Sequence, residues 1–212
     1  TAGVQAAHVV ILGAGTVGLS AAKVAMGMGA RVTILDSNLF RLRQIDDLYG
    51  GRIQTLASNA FNIAAAVKEA DLLVGSVLIP GALTPKLVTE AMVKTMKKGA
   101  AIVDVAIDQG GCIEVTAKHG ATYHDNPTFM YEGVVCYSVG NMPGAVARTS
   151  TFTLTNATMP YMVALANKGW KKACQDDKAL ARGINTHDGQ VYFKGVSDAL
   201  GYELKCTCEL LK

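Results

Sequence analysis

The stretch HVVILGAGTVG, residues 8–18, is followed by a second apolar run, VTILD, residues 32–36. An apolar strand, three spaced glycines and an acid at the end of the next strand form the fingerprint of a dinucleotide-binding βαβ unit. Gly13 permits the tight turn from strand to helix, Gly15 lets the main chain approach a pyrophosphate, and Gly18 lets helix and strand pack closely. The pattern therefore predicts a Rossmann-type unit at the start of the chain.

The side chains around this turn favour a particular dinucleotide. Thr16 and Val17 open the helix, whose free N–H groups and positive dipole end face the phosphates. Asp36 is placed to accept hydrogen bonds from ribose hydroxyls, and its charge would repel a 2′-phosphate, so NAD is favoured over NADP. Arg41 either pairs with a 2′-phosphate or lies on the solvated face of the next helix.

Composition limits the classes of function. The chain has 212 residues, 50% of them apolar, and a net charge of +3 that is dispersed along its length. This charge forms no basic stripe, so nucleic acid is not an expected partner. We expect no membrane segment, no signal peptide and, from the cysteine pattern, a cytoplasmic protein.

Five cysteines without a CxxC pair indicate reduced thiols and no metal site. Cys206 and Cys208 are expected to lie in a loose tail, the alternative being a metal or redox pair.

Alternating apolar runs and amphipathic stretches predict an α/β fold, a Rossmann-type doubly wound parallel sheet with helices on both faces. Strands are expected near 8–12, 31–35, 52–56, 71–75, 100–105 and 134–138. Helices are expected near 16–28, 38–49, 59–69 and 84–97, the last with Thr84 as its N-cap and Pro85 at its first position.

The pattern changes after Pro143. We predict a nucleotide-binding domain over 1–143 and the C-terminal, helical part of a second domain over 144–212. In the second region, helical stretches are expected over 145–168 and 170–182, a short strand over 190–193, and a helical turn around 196–200. Pro160 should kink the first stretch or end its first half.

The loops at the carboxyl ends of parallel strands converge on one crevice. The loop Ser76–Gly81 either contacts the nicotinamide half of the dinucleotide, with Val77 and Leu78 on the rings, or is purely structural. Asp104 lies inside an apolar run, where burial of an acid is costly unless it has a partner or a functional role. It either accepts hydrogen bonds from backbone donors or has such a role. Asp108 lies past the strand end and is the candidate acid near the reacting carbon.

Asn141 follows the last strand and therefore also points into the crevice. It either orients the nicotinamide or a substrate oxygen, or is a turn residue close to Pro143. His124–Pro127 is interpreted as a turn and is left out of the site, as are the isolated residues His8, His119 and His187.

Four stretches together closely resemble the L-alanine dehydrogenase branch of the alanine dehydrogenase / pyridine nucleotide transhydrogenase family: residues 10–18, 106–111, 141–146 and 151–158. The resemblance implies NAD-dependent interconversion of L-alanine with pyruvate and ammonium in a homohexamer. It implies adenosine contacts at Asp36 and Ser58, nicotinamide-side contacts at Val77–Leu78 and Val105–Asp108 (Ile107 included), and active-site positions at Asp108 and Asn141. Asn141 and Met142 are also expected to contact the cofactor.

One departure from the family is large. Family members carry a long segment before the glycine motif, with a substrate-binding Arg and Lys and a catalytic His, whereas only seven residues precede the first strand here. We therefore expect the chain to be a fragment in which 144–212 is the second part of the substrate domain.

Three hypotheses follow for the function. The first is an NAD-dependent amino-acid dehydrogenase, and the second is a module that binds NAD without turnover. The third is the nucleotide-binding subunit of a transhydrogenase, although that family is expected to have Glu where Asp108 stands and a segment unlike Ser37–Asp47. A flavin enzyme would share only the glycine motif.

Overall fold

The computed structural model of the chain describes residues 2–78 and 84–212, which form two compact units, 2–78 with 84–142 and 143–212. Ile79, Pro80 and Gly81 of the predicted crevice loop lie outside the described residues. The strands of the first unit are β1 His8–Leu12, β2 Arg31–Asp36, β3 Ile53–Ala57, β4 Leu72–Gly75, β5 Ala101–Asp104, β6 Thr128–Tyr131 and β7 Val134–Tyr137. Its α-helices are α1 Thr16–Gly27, α2 Leu39–Tyr49, α3 Ala60–Glu69, α4 Glu90–Val93 and α5 Glu114–His119.

The strands form one sheet in the order β3-β2-β1-β4-β5-β7-β6. All neighbouring pairs are parallel except β6 and β7. The chain moves outward from β1 to β3 and then returns to β4 beside β1, so the order reverses between β1 and β4. This confirms the predicted Rossmann-type sheet and places its switch point at the carboxyl end of β1, where ligands bind in such folds.

The inner strand β1, between β2 and β4, is buried on both faces, as a parallel strand covered by helices should be. Its side chains alternate between two hydrophobic clusters: Val10 and Leu12 pack with α3 on one face, while Val9 and Ile11 pack with α1 and α2 on the other. Because β1 is packed on both faces, the position of the glycine turn that follows it is fixed relative to the sheet.

The helix predicted over 84–97 is wrong at both ends, and so are its predicted N-cap Thr84 and first residue Pro85. Only Glu90–Val93 is helical, with Thr89 as the N-cap whose hydroxyl accepts from the Met92 N–H at 3.3 Å. The chain before it is extended, because Val88 bridges to Ile113. A pairing with a partner so far along the chain is not visible in a local pattern. The sequence reading also missed β6 and α5.

The second unit consists mainly of the long helix α6, Ala147–Asp176. Of the two outcomes expected at the exposed Pro160, a kink or an end, the end is wrong, because the helix continues through this residue; its backbone is non-helical at Gly169 (φ 73°) instead. The break therefore lies where the two predicted stretches meet. The remaining elements are α7 Lys178–Ala181, β8 Thr186–His187, β9 Gln190–Val191, α8 Lys194–Leu200 and α9 Thr207–Leu210.

The expectation of free thiols is wrong for one pair. Cys206 and Cys208 are joined by a disulfide at the start of α9, with their Cα atoms 5.2 Å apart. That separation is within the range a disulfide requires. The link joins residues only two positions apart, so it closes a small loop within the tail, while Cys112, Cys136 and Cys174 are free and buried.

Among the residues that the structure describes, no helix combines the length and apolarity needed to cross a membrane. Within residues 2–78 and 84–212 there is likewise no cluster of three His, Cys, Asp or Glu side chains that could hold a metal ion.

Candidate functional site

The turn after β1 is defined by contacts that only glycines permit. A Cβ on Gly18 would overlap the carbonyl oxygen of Gly13, so α1 packs directly against the turn. A Cβ on Gly13, where φ is +97°, would lie 2.7 Å from the carbonyl oxygen of Ser76 on the neighbouring loop. The approach at Gly18 is the close packing that the sequence predicted there, and the positive φ of Gly13 fits the tight turn predicted for it, to which its approach to Ser76 adds a second constraint.

Gly15 differs from the other two glycines, since a Cβ there would meet no atom of the described residues within 4 Å. Gly15 is also the N-cap of α1, and no side chain within 2–78 and 84–212 accepts from the first-turn N–H groups of this helix. In contrast, the Asn38 and Asn59 side chains cap α2 and α3. Open space in front of uncapped N–H groups is the arrangement that binds phosphate, so the start of α1 fits a pyrophosphate.

Asp36, half-buried at the end of β2, is already held by the main chain. One carboxylate oxygen accepts from Ala14 N at 2.7 Å and the other from Asn38 N at 2.8 Å. The carboxylate is thus fixed beside the glycine turn with its remaining lone pairs available, which suits recognition of a ribose diol.

Arg41 also contacts the glycine turn. Its Nε donates to the carbonyl of Ala14 at 2.9 Å, and one terminal nitrogen donates to Gln44 at 3.2 Å. The half-buried guanidinium therefore binds the carbonyl of Ala14, the residue whose N–H donates to Asp36. Arg41 is thus not simply on a solvated helix face, and its pairing with a 2′-phosphate stays a prediction.

A cleft of about 640 Å³ opens at the switch point. Its walls include the predicted residues Gly13, Gly15, Thr16, Val17, Asp36, Ser58, Val77 and Leu78. They also include Ser76, the first residue of the predicted loop Ser76–Gly81, and four residues that the sequence did not predict: Leu35, Ser37, Pro85 and Leu87. Ser37 directly follows Asp36 and could have been found from that position, whereas Pro85 and Leu87 were hidden by the erroneous helix over 84–97.

A second, smaller cavity of about 140 Å³ shares Val17, Ser76, Val77 and Leu78 with the first. It extends to the 3-10 helix Val105–Gln109 that follows β5, where it is lined by Val105, Ala106, Asp108 and Gln109. The shared wall joins the two cavities into one elongated groove across the carboxyl ends of β1, β4 and β5. An extended dinucleotide requires such a groove.

The structure brings together the two candidate catalytic residues, Asp108 in the wall of the smaller cavity and Asn141 next to it but outside that wall. Asp108 is exposed, and its carboxylate accepts from Asn141 N at 3.4 Å. Asn141 adopts a positive φ of 53°, which is uncommon for a residue other than glycine. The Nε2 atom of His124, which was left out of the predicted site, lies 3.3 Å from the Asn141 carbonyl oxygen. No local pattern signals this approach, since the two residues are seventeen positions apart.

Some predicted contact residues do not line the groove. Ile107 is buried, and Gly18 is covered by the turn that it packs against. Arg41, Asn141 and Met142 lie outside the walls of both cavities. Their assignment as cofactor contacts therefore stays a prediction.

The buried thiols near the site are not nucleophiles. Burial raises the pKa of Cys112, and the adjacent Asp104 carboxylate raises it further. Burial alone raises the pKa of Cys136 to about 11. Both side chains are therefore neutral at physiological pH, and cysteine thiolate chemistry is not available here.

Residues 1–194 match the family model described as alanine dehydrogenase/PNT, C-terminal domain. The chain is 91% identical, over all of its length, to an alanine dehydrogenase of Bilophila wadsworthia, of which it covers 57%. It is 58% identical over 93% of its length to an alanine dehydrogenase of Methanococcus maripaludis, of which it covers 52%. The chain thus spans somewhat more than half the length of these relatives.

Solved structures agree with the sequence comparisons. An L-alanine dehydrogenase structure superposes on 95% of this chain with a TM-score of 0.85 and 47% identity, and the chain covers 55% of it. A transhydrogenase from Sinorhizobium meliloti superposes on 70% of this chain with a TM-score of 0.62 and 29% identity. On this sequence, fold and site geometry, the chain belongs to the alanine dehydrogenase/PNT family and corresponds to its C-terminal domain.

Proposed function

We propose that this chain is the NAD-binding part of an NAD-dependent alanine dehydrogenase that converts L-alanine and water to pyruvate and ammonium. The observation that carries the proposal is the elongated groove, which links an uncapped helix N-terminus and an acid at one end to Asp108 at the other. The 91% identity to an alanine dehydrogenase supports alanine as the substrate.

The residues of the groove are assigned as follows. The first-turn N–H groups of α1, beside Gly15, bind the pyrophosphate, and Asp36 binds the adenosine ribose hydroxyls. Ser58 borders the adenosine end of the cleft. Val77 and Leu78 contact the nicotinamide end, where the two cavities meet.

When bound, NAD supplies the hydride acceptor for the substrate carbon. The protein's own part is to orient the reactants and to manage protons. The Asp108 carboxylate is exposed to the groove and is assigned the task of accepting a proton from the substrate nitrogen or from the attacking water. The main-chain N–H of Asn141 donates to the Asp108 carboxylate and so restrains its orientation.

Two weaker alternatives remain distinct from this proposal. Transhydrogenase subunits share the fold, but the transhydrogenase likeness covers less of the chain, at lower identity, than the alanine dehydrogenase likeness. A module that binds NAD without turnover would use the same groove without a role for Asp108. The homohexamer and the cytoplasmic location implied by the resemblance stay predictions.

The test combines binding and turnover. NAD is titrated into this chain by calorimetry, and the natural gene product that contains it is assayed for NADH formation with L-alanine. NAD binding together with alanine-dependent NADH formation supports the proposal. Binding without any turnover by the natural product would leave only a binding module, and absence of binding would refute both.

Asp108→Asn in the natural product separates a chemical role from a binding role. We expect turnover to fall by at least about 100-fold, a typical contribution of a general base, with NAD affinity changed by less than about threefold. The matched control is Asp125→Asn, which removes an exposed carboxylate from the neighbouring loop and should change neither quantity. Equal losses of turnover and affinity would restrict Asp108 to binding.

A further inference from the structure

Asp104, the last residue of β5, carries a buried carboxylate that the proposed reaction does not use. Its relative exposure is 0%, so it would be costly without partners. One oxygen accepts from Ala106 N at 3.2 Å. The other accepts from the main-chain N–H groups of Cys112 at 3.1 Å and Ile113 at 3.2 Å, and from the Thr116 hydroxyl at 2.5 Å. A carboxylate with this many donors stabilises whatever backbone carries those donors.

These donors come from both ends of one segment. Ala106 is the second residue of the 3-10 helix that carries Asp108, while Ile113 is the N-cap of α5 and Thr116 lies in its first turn. The carboxylate therefore closes the chain between 105 and 113 into a fixed turn. Gly111 shows how tight this closure is: its φ is +72°, and a Cβ there would lie 2.7 Å from the Asp104 carboxylate.

Lys86 holds the same turn from the outside. Its Nζ donates to the carbonyl oxygen of Gly110 and, at 2.7 Å, to that of Gly111. Lys86 is exposed, so its ammonium reaches these carbonyls without the desolvation cost that a buried charge would have. Two charged side chains thus anchor the turn 105–111. The buried Asp104 carboxylate accepts from N–H groups within and just after the turn, and the exposed Lys86 ammonium donates to its carbonyls.

We propose that Asp104 and Lys86 are positioning residues that together set the place of the turn 105–111, and hence of Asp108, against the nicotinamide end of the dinucleotide. The inference rests on the proposed NAD binding. It goes beyond that proposal because neither residue lines the groove, and both act through the backbone of a segment that does.

The inference makes a selective prediction about two ligands. ADP-ribose carries the adenosine, the pyrophosphate and both riboses of NADH but lacks the nicotinamide. A displaced 105–111 turn should therefore weaken NADH while leaving ADP-ribose bound. Any electrostatic effect of Lys86 on the pyrophosphate acts on both ligands alike and cancels in the ratio of their affinities.

The experiment measures the affinities of this chain for NADH and ADP-ribose by calorimetry, and the emission of bound NADH by fluorescence. Asp104→Asn replaces one carboxylate oxygen with an NH₂ group, which cannot accept a hydrogen bond from an N–H. Depending on the orientation of the amide, the bond from Ala106 or the bonds from Cys112 and Ile113 are lost, so one end of the turn is released. We expect NADH affinity to fall about tenfold and ADP-ribose affinity to change by less than about twofold. Lys86→Met should lower NADH affinity about threefold with the same selectivity, and Lys94→Met, which removes an exposed lysine from the end of α4, should have no effect.

Thr116→Val is the control for stability alone. It removes a donor to the same carboxylate from the α5 side but keeps the bond to Ala106, so the chain should unfold at lower urea concentration with the NADH to ADP-ribose ratio unchanged. The inference would be overturned if the ratio of NADH to ADP-ribose affinity changed in parallel with stability in Asp104→Asn, Lys86→Met and Thr116→Val.

An unchanged ratio in Lys86→Met would also overturn it. This surface variant decides the question alone if Asp104→Asn does not fold. A wild-type chain that binds neither ligand would instead refute the proposed function, so the two failures are distinguishable.

Discussion

Two turns follow β1 and β5, the strands on either side of β4, and face the same groove, yet they are built in opposite ways. The turn Gly13–Gly18 after β1 is held by the absence of side chains, because main-chain atoms and a serine occupy the places where Cβ atoms would lie. The turn 105–111 after β5 is held by two charged side chains that bind its N–H groups and carbonyls. The first construction can be recognised from three glycines, whereas the second depends on partners elsewhere in the chain.

Gly18→Ala should produce the largest effect of any change at the two turns. The added methyl overlaps the carbonyl of Gly13, and neither backbone segment can move without shifting β1 or α1. We expect the free energy of unfolding to fall by about 3 kcal/mol or more, measured by urea denaturation.

Gly27→Ala is the matched control for Gly18→Ala, since it lies on the same helix and its Cβ would meet nothing within 4 Å. This variant should stabilise the chain by up to about 1 kcal/mol through helix propensity. Similar losses in both variants would show that the close approach at Gly18 is not what makes glycine necessary there.

Gly111→Ala tests the second turn with the same substitution. The variant meets two costs, a left-handed backbone at φ +72° and contact with the Asp104 carboxylate. We expect a loss of about 2 to 3 kcal/mol in urea denaturation, with NADH affinity reduced more than ADP-ribose affinity.

The control for Gly111→Ala is Gly50→Ala at the end of α2, where φ is +56° and a Cβ has open space. It meets only the conformational cost of about 1 kcal/mol. If Gly50→Ala were as destabilising as Gly111→Ala, the contact with Asp104 would contribute nothing.

The contrast between the turns also explains what the sequence could predict. The glycine fingerprint, the five strands β1 to β5 and the helices α1 to α3 follow from local patterns, and the structure confirms them. Asp104 could be recognised as an acid within an apolar run, but its partners could not, since Thr116 is twelve residues away and belongs to a helix that was not predicted. The extended chain around Lys86 was missed for the same reason: it pairs with the segment after the second turn.

Asp36→Asn should show the opposite ligand selectivity to Asp104→Asn. It removes a charged acceptor at the adenosine end, so we expect NADH and ADP-ribose affinities to fall together by about tenfold. Discrimination against NADP should also narrow, because the repulsion of a 2′-phosphate is lost. Calorimetric titrations with the three ligands measure both effects.

Asp46→Asn, which removes an exposed carboxylate from α2, is the control and should leave all three affinities unchanged. If Asp36→Asn weakened NADH alone, the assignment of the two ends of the groove would be reversed.

The smallest expected effect comes from the opposite end of β1, at His8, and it separates stability from the geometry of either turn. Burial lowers the pKa of His8 from 6.5, and the charge of Arg31 lowers it further, while Glu69 and Asp71 oppose the shift. Because the folded protein keeps this imidazole neutral, the unfolded chain binds an additional proton as pH falls below the ordinary value. Stability should therefore decline below about pH 6.5, by at most about 1.4 kcal/mol per pH unit, and the decline should end once the folded state is protonated as well.

His8→Gln should remove this decline when urea denaturation is compared between about pH 7.5 and about pH 5.5. The NADH to ADP-ribose ratio, measured at one pH, should stay the same in this variant, since His8 bonds to Thr33 at 2.8 Å and lies a full strand length from both turns. A changed ratio would mean that general loss of stability is enough to displace the turns. A selective loss of NADH affinity in Asp104→Asn or Lys86→Met could then result from lower stability alone. The ratio measured in His8→Gln is therefore the reference against which the ratios of those two variants are compared.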